Sequence, residues 1–203
     1  MLYALKSSGS TGVKAAGESG DEAELVAQAQ SDPRAFAPLY ARYFRPVYRY
    51  CLRSLGDEEA AADTTAQDFA RALAALPRYR DGSFRSWLFA IAHNAIVDAT
   101  RRRRPSAPLD AATTVPDPSA SPEEQALSAE DRRSIKVLLG QLSPDQRQVV
   151  ELRLAGLTGQ EIADALGRSL PAVKSTQFRA YTRLRRLIAF ADDGRTETTD
   201  ASR

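Results

Sequence analysis

Histidine and cysteine are the side chains that most often bind transition metals or act as nucleophiles. This chain of 203 residues has one of each, His93 and Cys51. A Cys/His metal site needs several ligands, and His93 has no evident nucleophile or carboxylate partner nearby in the sequence. We therefore expect no metal, no cofactor and no catalytic residue, and we expect His93 near the surface. Cys51 lies in an apolar pattern, which favours a core position over a redox role.

The chemistry that the sequence supports is the recognition of nucleic acid by cations near the C-terminus. Between Arg168 and Arg186 there are six Lys and Arg residues and no acid. At 100° per residue, one face of a helix in this stretch is apolar and the opposite face is polar or basic. Polar groups near the start of such a helix reach base edges, and its arginines hold phosphates. The expected DNA contacts are Lys174, Ser175, Phe178, Arg179 and Arg183. An ordinary solvated face is the simpler alternative, but it would not leave a phenylalanine exposed.

A second group of candidate contacts lies near the middle of the chain. Residues 78–83 form a basic and aromatic turn, and Asn94, Asp98 and Arg101 follow at helical spacing beside Trp87. Such a mixture of cations, rings and hydrogen-bonding groups is typical of sites that hold single-stranded nucleic acid. A capped helix with a solvated side explains the same residues equally well. Trp87 is expected mainly in the core.

Both groups lie in segments with helical apolar spacing, so the fold class is predicted as all-α. In the first segment, a helix that contains Pro38 and Pro46 should be kinked or divided. Two more helices are expected over about 58–76 and about 84–100. The second of these ends in four consecutive arginines, where the helix dipole favours positive charge.

In the second segment a helix is expected near 126–141, followed by two capping boxes that begin at Ser143 and Thr158. The last helix is expected over about 170–189. A short capped helix, a turn that contains glycine and a long basic helix together form a helix-turn-helix, which is typical of DNA-binding proteins.

Charge divides the chain into two basic blocks and an acidic spacer, although 28 Lys and Arg against 26 Asp and Glu leave only +2 overall. Residues 25–105 carry a net +5, residues 106–131 carry −6 and residues 132–190 carry +7. The spacer is rich in proline, which excludes a continuous helix, and its acids favour an extended linker. The predicted organisation is a disordered lead (1–24), a helical domain (25–104), a flexible acidic Pro-rich linker (105–131), a second helical domain (132–190) and a disordered tail (191–203).

No apolar run approaches the roughly 18 residues that a membrane helix needs, and the first residues lack the apolar core of a secretory signal. The lone cysteine fits a reducing compartment. We therefore expect a cytoplasmic protein without membrane insertion.

Several segments together resemble sigma-70-type factors of the extracytoplasmic-function (ECF) group. Segments 61–72, 76–80 and 84–94 look like region 2 of that family, and segments 142–144, 157–163 and 172–175 look like region 4. The resemblance covers about 25–104 and 132–190, in the family's order and with a linker between them. It implies two small helical domains that bind the core of RNA polymerase and direct it to promoters.

The resemblance also implies roles for residues of the first domain. Asp63, Gln67 and Phe69 fall in the helix that binds the β′ clamp helices of the polymerase core. The loop of Tyr79, Arg80, Asp81, Gly82 and Ser83 corresponds to the segment that captures a flipped base of the −10 element. Asn94, Asp98 and Arg101 follow in the helix that reads that element.

In the second domain, Lys174, Ser175, Phe178 and Arg179 match positions that contact the −35 element, with Arg183 beside them. The implied partners are the polymerase core, including its β flap, promoter DNA in duplex and single-stranded form, and an anti-sigma factor.

The alternative is a stand-alone helix-turn-helix regulator whose first domain dimerises or binds a ligand. An enzyme acting on nucleic acid is disfavoured because paired carboxylates and metal ligands are lacking.

Overall fold

The computed structural model of the protein describes residues 14–80, 82–102 and 129–200, with side chains over 21–80, 82–102 and 134–189. Within these ranges the regular structure consists of eight α-helices and two short 3-10 helices, which confirms the all-α prediction. The α-helices are α1 (Lys14–Ser31), α2 (Ala37–Leu55), α3 (Glu58–Ala75), α4 (Phe84–Arg102), α5 (Ala129–Gly140), α6 (Pro144–Leu154), α7 (Gly159–Leu166) and α8 (Leu170–Asp200). The 3-10 helices, Pro33–Phe36 and Leu76–Arg78, precede α2 and follow α3.

Most helix ends follow from local capping. Asp57 accepts a hydrogen bond from a backbone N–H group in the first turn of α3. Ser143 and Thr158 form the two predicted capping boxes, which begin α6 and α7. α7 ends at Leu166 and is capped by Gly167, whose φ of +62° is a left-handed conformation that residues with a side chain rarely adopt. These ends are determined by residue types that can be recognised in the sequence.

α2 is continuous through Pro46, whereas the sequence predicted a kink or a division in this stretch. The division lies earlier, where the first 3-10 helix meets α2, and Pro38 occupies the first turn of α2, where a missing N–H is tolerated. The neighbours of Pro46 on the inner face, Tyr43 and Val47, are buried in the core. Tertiary packing therefore offsets the hydrogen bond that Pro46 removes from the helix.

The N-terminal half (α1–α4) packs around aromatic and aliphatic side chains. Leu39, Tyr50, Leu88 and Phe89 are among its fully buried residues. The rings of Tyr50 and Phe89 lie 5.6 Å apart and are tilted, an arrangement that aromatic pairs favour. α2, α3 and α4 therefore form a bundle with one aromatic core.

The C-terminal half (α5–α8) has a small core of its own, in which Leu142 and Val150 pack with Ala180. On the other side of α6 and α7, Leu152 and Ile162 belong to the same apolar cluster as the core of the N-terminal half. The two halves thus meet across buried apolar side chains.

α1 occupies part of the segment 1–24 that was predicted as a disordered lead. Asp21 of α1 forms an ion pair with Arg42 of α2, and the hydroxyl of Tyr43 donates a hydrogen bond to Glu22. These contacts are made with a helix distant in sequence, which explains why the local composition, rich in Gly and Ser, did not predict α1.

α8 extends to Asp200, beyond the predicted end near 189 and into the predicted disordered tail. α5 begins at Ala129, close to the predicted start. Parts of three predictions lie outside the residues that the structure describes: residues 1–13 of the disordered lead, residues 105–128 of the flexible linker and residues 201–203 of the tail.

Candidate nucleic-acid interface

α8 is oriented by the turn that precedes it and by the buried side of the helix. Ser169 Oγ accepts a hydrogen bond from a backbone N–H of the first turn of α8. In the same turn, Arg168 forms an ion pair with Asp145 at the start of α6, with 2.7 Å between nitrogen and oxygen. Val173 and Ala180 are fully buried on the inner side of the helix. The helix-turn-helix therefore determines which face of α8 lies in solvent.

The outer face of α8 carries the residues that were predicted to contact duplex DNA. All five are exposed: Lys174, Ser175, Phe178, Arg179 and Arg183. Phe178 is 68% exposed. An open groove of about 410 Å³ runs along this face, lined by Gln146, Phe178, Arg179, Thr182, Arg183, Arg186 and Leu187. Three arginines and no carboxylate line the groove, so it favours a polyanion.

The loop between α3 and α4 is held from within by Gln30 of α1. Gln30 Nε2 donates hydrogen bonds to the carbonyl oxygens of Leu76, at 3.0 Å, and Tyr79, at 2.7 Å. The Tyr79 hydroxyl donates to the carbonyl of Gly82 at 2.7 Å, and its ring lies 5.1 Å from that of Trp87. Sequence reasoning missed Gln30, because nothing in the sequence near it points to a loop more than forty residues away.

The other residues of this loop turn toward solvent or toward α4. Arg80 is exposed and donates to a carbonyl of the same loop. Gly82 has a φ of +108°, which favours glycine at this position. Ser83 caps α4, because its Oγ accepts a hydrogen bond from the N–H of Ser86 at 3.2 Å. Asp81 lies outside the described residues.

α4 presents the polar stripe that the helical spacing predicted. Asn94, Asp98 and Arg101 are all exposed. Trp87 is half-buried and packs against Tyr79 and the core residue Phe84. The loop and the stripe thus lie at the two ends of one rigid helix.

The three residues of α3 that the family resemblance implies in core binding differ in exposure. Asp63 and Gln67 are exposed, whereas Phe69 is only 4% exposed. Tyr40 and Phe44 of α2 lie over Phe69, with ring centroids 4.7 Å and 6.3 Å from it, and both are exposed. Phe69 therefore supports an aromatic surface, and the rings available to a partner belong to Tyr40 and Phe44.

Cys51 and Asp68 form a buried pair between α2 and α3. Cys51 is fully buried, as the apolar pattern predicted, and burial raises the pKa of its thiol to about 12. Burial also raises the pKa of Asp68 to about 7, although Arg71 acts in the opposite direction. The Cys51 thiol donates to Asp68 Oδ2 at 3.9 Å. Asp68 therefore keeps its proton to a higher pH than an exposed carboxyl does.

His93 is half-buried rather than at the surface. Its Nδ1 lies 3.1 Å from the hydroxyl oxygen of Tyr50. Burial lowers the pKa of His93, and the positive charge of Arg168 in the C-terminal half lowers it further. The imidazole is thus part of the internal packing near the contact between the halves.

Neither a metal site nor a membrane-spanning helix is found among the residues that the structure describes. No group of three or more His, Cys, Asp and Glu side chains there is arranged to hold a metal ion. None of the helices described is both long enough and apolar enough to span a bilayer.

A basic helix-turn-helix face, combined with a helical bundle that presents a loop and a polar stripe, defines a two-part DNA-binding protein. Comparison with known proteins identifies the family of DNA-binding proteins to which these two parts correspond. Residues 39–105 match Sigma-70 region 2, and residues 132–184 match Sigma-70 region 4.

Individual relatives cover most of the chain. ShbA of Streptomyces griseus, an ECF RNA polymerase sigma factor, is 38% identical over 78% of this chain and 90% of its own length. BldN of Streptomyces coelicolor, also an ECF RNA polymerase sigma factor, is 33% identical over 85% of this chain and 67% of its own length. The solved structure of CnrH in complex with the cytosolic domain of CnrY has a TM-score of 0.63 at 31% identity, and the match covers 81% of this chain and 95% of CnrH.

The chain belongs to the ECF group of the sigma-70 family. It is an RNA polymerase sigma factor: its partners are the polymerase core and promoter DNA, and it acts in transcription initiation without being an enzyme itself. A stand-alone helix-turn-helix regulator is not favoured, because both sigma regions are present in one chain.

Proposed function

We propose that α8 reads the −35 promoter element from the major groove. The observation that carries this proposal is the exposed outer face of α8, where three arginines and Phe178 line an open groove without a carboxylate. Lys174 and Ser175 lie in the first turns of the helix, where side chains reach base edges, and the arginines lie further along, where phosphates pass.

The N-terminal half, in this proposal, opens and reads the −10 element. Tyr79, Arg80, Gly82 and Ser83 of the loop, with Asp81, form the pocket for a base flipped out of the duplex, which costs a few kcal/mol that the pocket must offset. Asn94, Asp98 and Arg101 then contact the separated strand. The support is that the loop is braced internally by Gln30, so its shape exists before DNA binds.

Substitution of Arg179 tests the −35 assignment. Promoter fragments are first selected by the holoenzyme from a randomised library, and binding is then measured on fragments with altered −35 sequences. Arg179→Ala is expected to weaken binding by about 1–3 kcal/mol and to relax −35 specificity. Arg185→Ala is the matched control, since Arg185 is exposed on the same helix but does not line the groove. Unchanged specificity in Arg179→Ala would refute the assignment.

We further propose that α3 docks on the β′ clamp helices and that the C-terminal half contacts the β flap. Asp63 and Gln67 are exposed on α3 and can make this contact directly, whereas Phe69 acts from below through Tyr40 and Phe44. Asp63→Arg is expected to weaken binding to the polymerase core at least tenfold in a pull-down titration. Glu58→Arg, at an exposed position in the first turn of the same helix but on the face away from Asp63 and Gln67, serves as the control.

We also propose that an anti-sigma factor binds this chain and that the protein acts in the cytoplasm. CnrH was solved with the cytosolic domain of CnrY, and RpoE of Bartonella quintana, similar in fold at 22% identity, was solved with the anti-sigma factor NepR. Both support a protein partner that holds this sigma factor away from the polymerase. Affinity capture of the tagged chain from its native cells, followed by a transcription assay with the captured protein, tests this point.

A further inference from the structure

The groove along the outer face of α8 has one lining residue that does not belong to α8. Gln146 lies in the first turn of α6, and its half-buried side chain lines the groove together with six residues of α8. α6 is held against α8 by a small apolar core, in which Leu142 and Val150 pack with Ala180. The position of Gln146 relative to the groove is therefore determined by the fold of the C-terminal half.

The orientation of the Gln146 amide follows from its part in the capping box. The backbone N–H of Ser143 donates to Gln146 Oε1 at 3.2 Å, and only the oxygen of a side-chain amide can accept such a bond. The amide nitrogen Nε2 lies on the other branch of the amide and makes no hydrogen bond with any residue that the structure describes. Its two N–H groups are therefore available to a ligand in the groove.

The α8 side of the groove consists mainly of cationic donors beside apolar carbon. Arg179, Arg183 and Arg186 follow at intervals of four and three residues, which separates them by about 6 Å and about 4.5 Å along the helix axis. Phe178 and Leu187 supply the apolar part of the lining. A row of donors beside an apolar strip suits a nucleic-acid backbone, in which charged phosphates alternate with the carbon atoms of the sugars.

The groove lies beyond the part of α8 that is proposed to read bases. Lys174 and Ser175 are in the first turns of α8 and do not line the groove, which extends from Phe178 to Leu187. Contacts with phosphates fix the position of a protein on the duplex but carry no direct information about sequence. A donor on the far wall of this groove therefore serves to position α8 on the DNA.

We propose that Gln146 is a further DNA-contacting residue, whose amide nitrogen donates a hydrogen bond to a backbone phosphate at the −35 element while the arginines of α8 bind the same stretch of backbone. This contact rests on the proposed reading of the −35 element by α8, and it adds a residue from a second helix. It contributes affinity at every promoter and no preference between sequences.

Gln146→Glu separates this contact from the stability of the fold. Glutamate also completes a capping box, and its charge is favourable in the first turn of a helix, so α6 is retained. The substitution replaces the donor by a carboxylate that repels phosphate and pairs with an arginine of the groove. Holoenzyme with Gln146→Glu should bind a selected promoter fragment about tenfold more weakly, and by the same factor on fragments with altered −35 sequences. Gln141→Glu is the matched control, because it adds the same charge at an exposed position outside the groove.

Two further measurements on the holoenzyme would not respond to a merely structural role of Gln146. The slope of log K against log salt should fall in magnitude by about 0.9 in Gln146→Glu, because one arginine is neutralised. Promoter fragments are then made with one uncharged methylphosphonate in place of a phosphate. The difference between Gln146→Glu and the wild type should shrink severalfold at one phosphate, or at two neighbouring phosphates, and persist at the others. An unchanged slope, or an equal difference at every phosphate, would overturn the proposal.

Arg179→Ala, measured on the same fragments, separates failure of this inference from failure of the proposed function. If Arg179→Ala relaxes −35 specificity while Gln146→Glu binds like the Gln141→Glu control, α8 reads the −35 element without Gln146, and only the present proposal is wrong. If neither Arg179→Ala nor Gln146→Glu alters binding, the proposed reading of the −35 element by α8 is wrong as well.

Discussion

The buried carboxyl of Asp68 should make this protein less stable as the pH rises toward 7. Its side chain is fully buried, and its Oδ1 accepts no hydrogen bond from the residues that the structure describes. Burial raises its pKa from the ordinary value of 3.8 to about 7. Between the ordinary pKa of 3.8 and the folded-state pKa of about 7, the folded protein holds a proton on Asp68 that the unfolded chain has released. The free energy of unfolding therefore falls as the pH rises through this range.

The magnitude follows from the difference in pKa, at about 1.4 kcal/mol for each unit. Between pH 5 and pH 8, Asp68 should remove about 2–3 kcal/mol from the free energy of unfolding. Asn has nearly the shape of the protonated carboxyl and cannot ionise. In Asp68→Asn this part of the loss should disappear, so the variant should be similar to the wild type at pH 5 and more stable at pH 8.

Urea unfolding, followed by circular dichroism at pH 5, 6, 7 and 8, measures this effect. The difference between Asp68→Asn and the wild type isolates Asp68 from other groups whose pKa values shift on folding, such as Glu22, Glu151 and His93. Asp63→Asn, at an exposed position of the same helix, is the matched control. Parallel pH profiles for Asp68→Asn and the wild type would refute the reasoning.

Three further predictions concern buried or bracing side chains. Cys51 should react with a thiol reagent at pH 8 at least a hundredfold more slowly in the folded protein than in urea, because burial raises the pKa of its thiol to about 12. Rapid reaction of the folded protein would contradict its position in the core. Gln30→Ala should impair strand opening at the −10 element, measured by 2-aminopurine fluorescence, and should leave binding to −35 duplex DNA unchanged. Gln30→Glu should not restore strand opening, because a carboxylate cannot donate hydrogen bonds to the loop carbonyls. Phe69→Ala should lower the free energy of unfolding by about 3–5 kcal/mol, as expected for a buried ring. Tyr40→Ala should lower it less and should weaken binding to the polymerase core. Equal loss of stability in the two variants would contradict the assignment of Phe69 to the core and Tyr40 to the surface.

Features that depend on neighbouring residues could be predicted from the sequence. The capping boxes at Ser143 and Thr158 begin helices where they were expected, because the bonds that they make span only three residues. The outer face of α8 was predicted from helical angles alone, since burial on one side of a helix repeats every 3.6 residues. The buried position of Cys51 followed from the apolar pattern around it.

Features that depend on distant residues could not be predicted. α1 was missed because its contacts are with α2, and the bracing role of Gln30 depends on a loop that only the packing of α1 brings near. The burial of Phe69 beneath Tyr40 and Phe44 depends on how α2 crosses α3. His93 was expected at the surface, whereas the fold places it beside Tyr50.

The sequence by itself determined the α-helices other than α1, the helix-turn-helix, the basic outer face of α8 and the membership in the sigma-70 family. These are properties of residue type and spacing, and an isolated segment already carries them. Only the tertiary structure decided that the two halves close upon each other through Ser54–Glu151 and Ser83–Glu161. The reason is physical: the partners in these pairs are 97 and 78 residues apart, so no local pattern records that they meet.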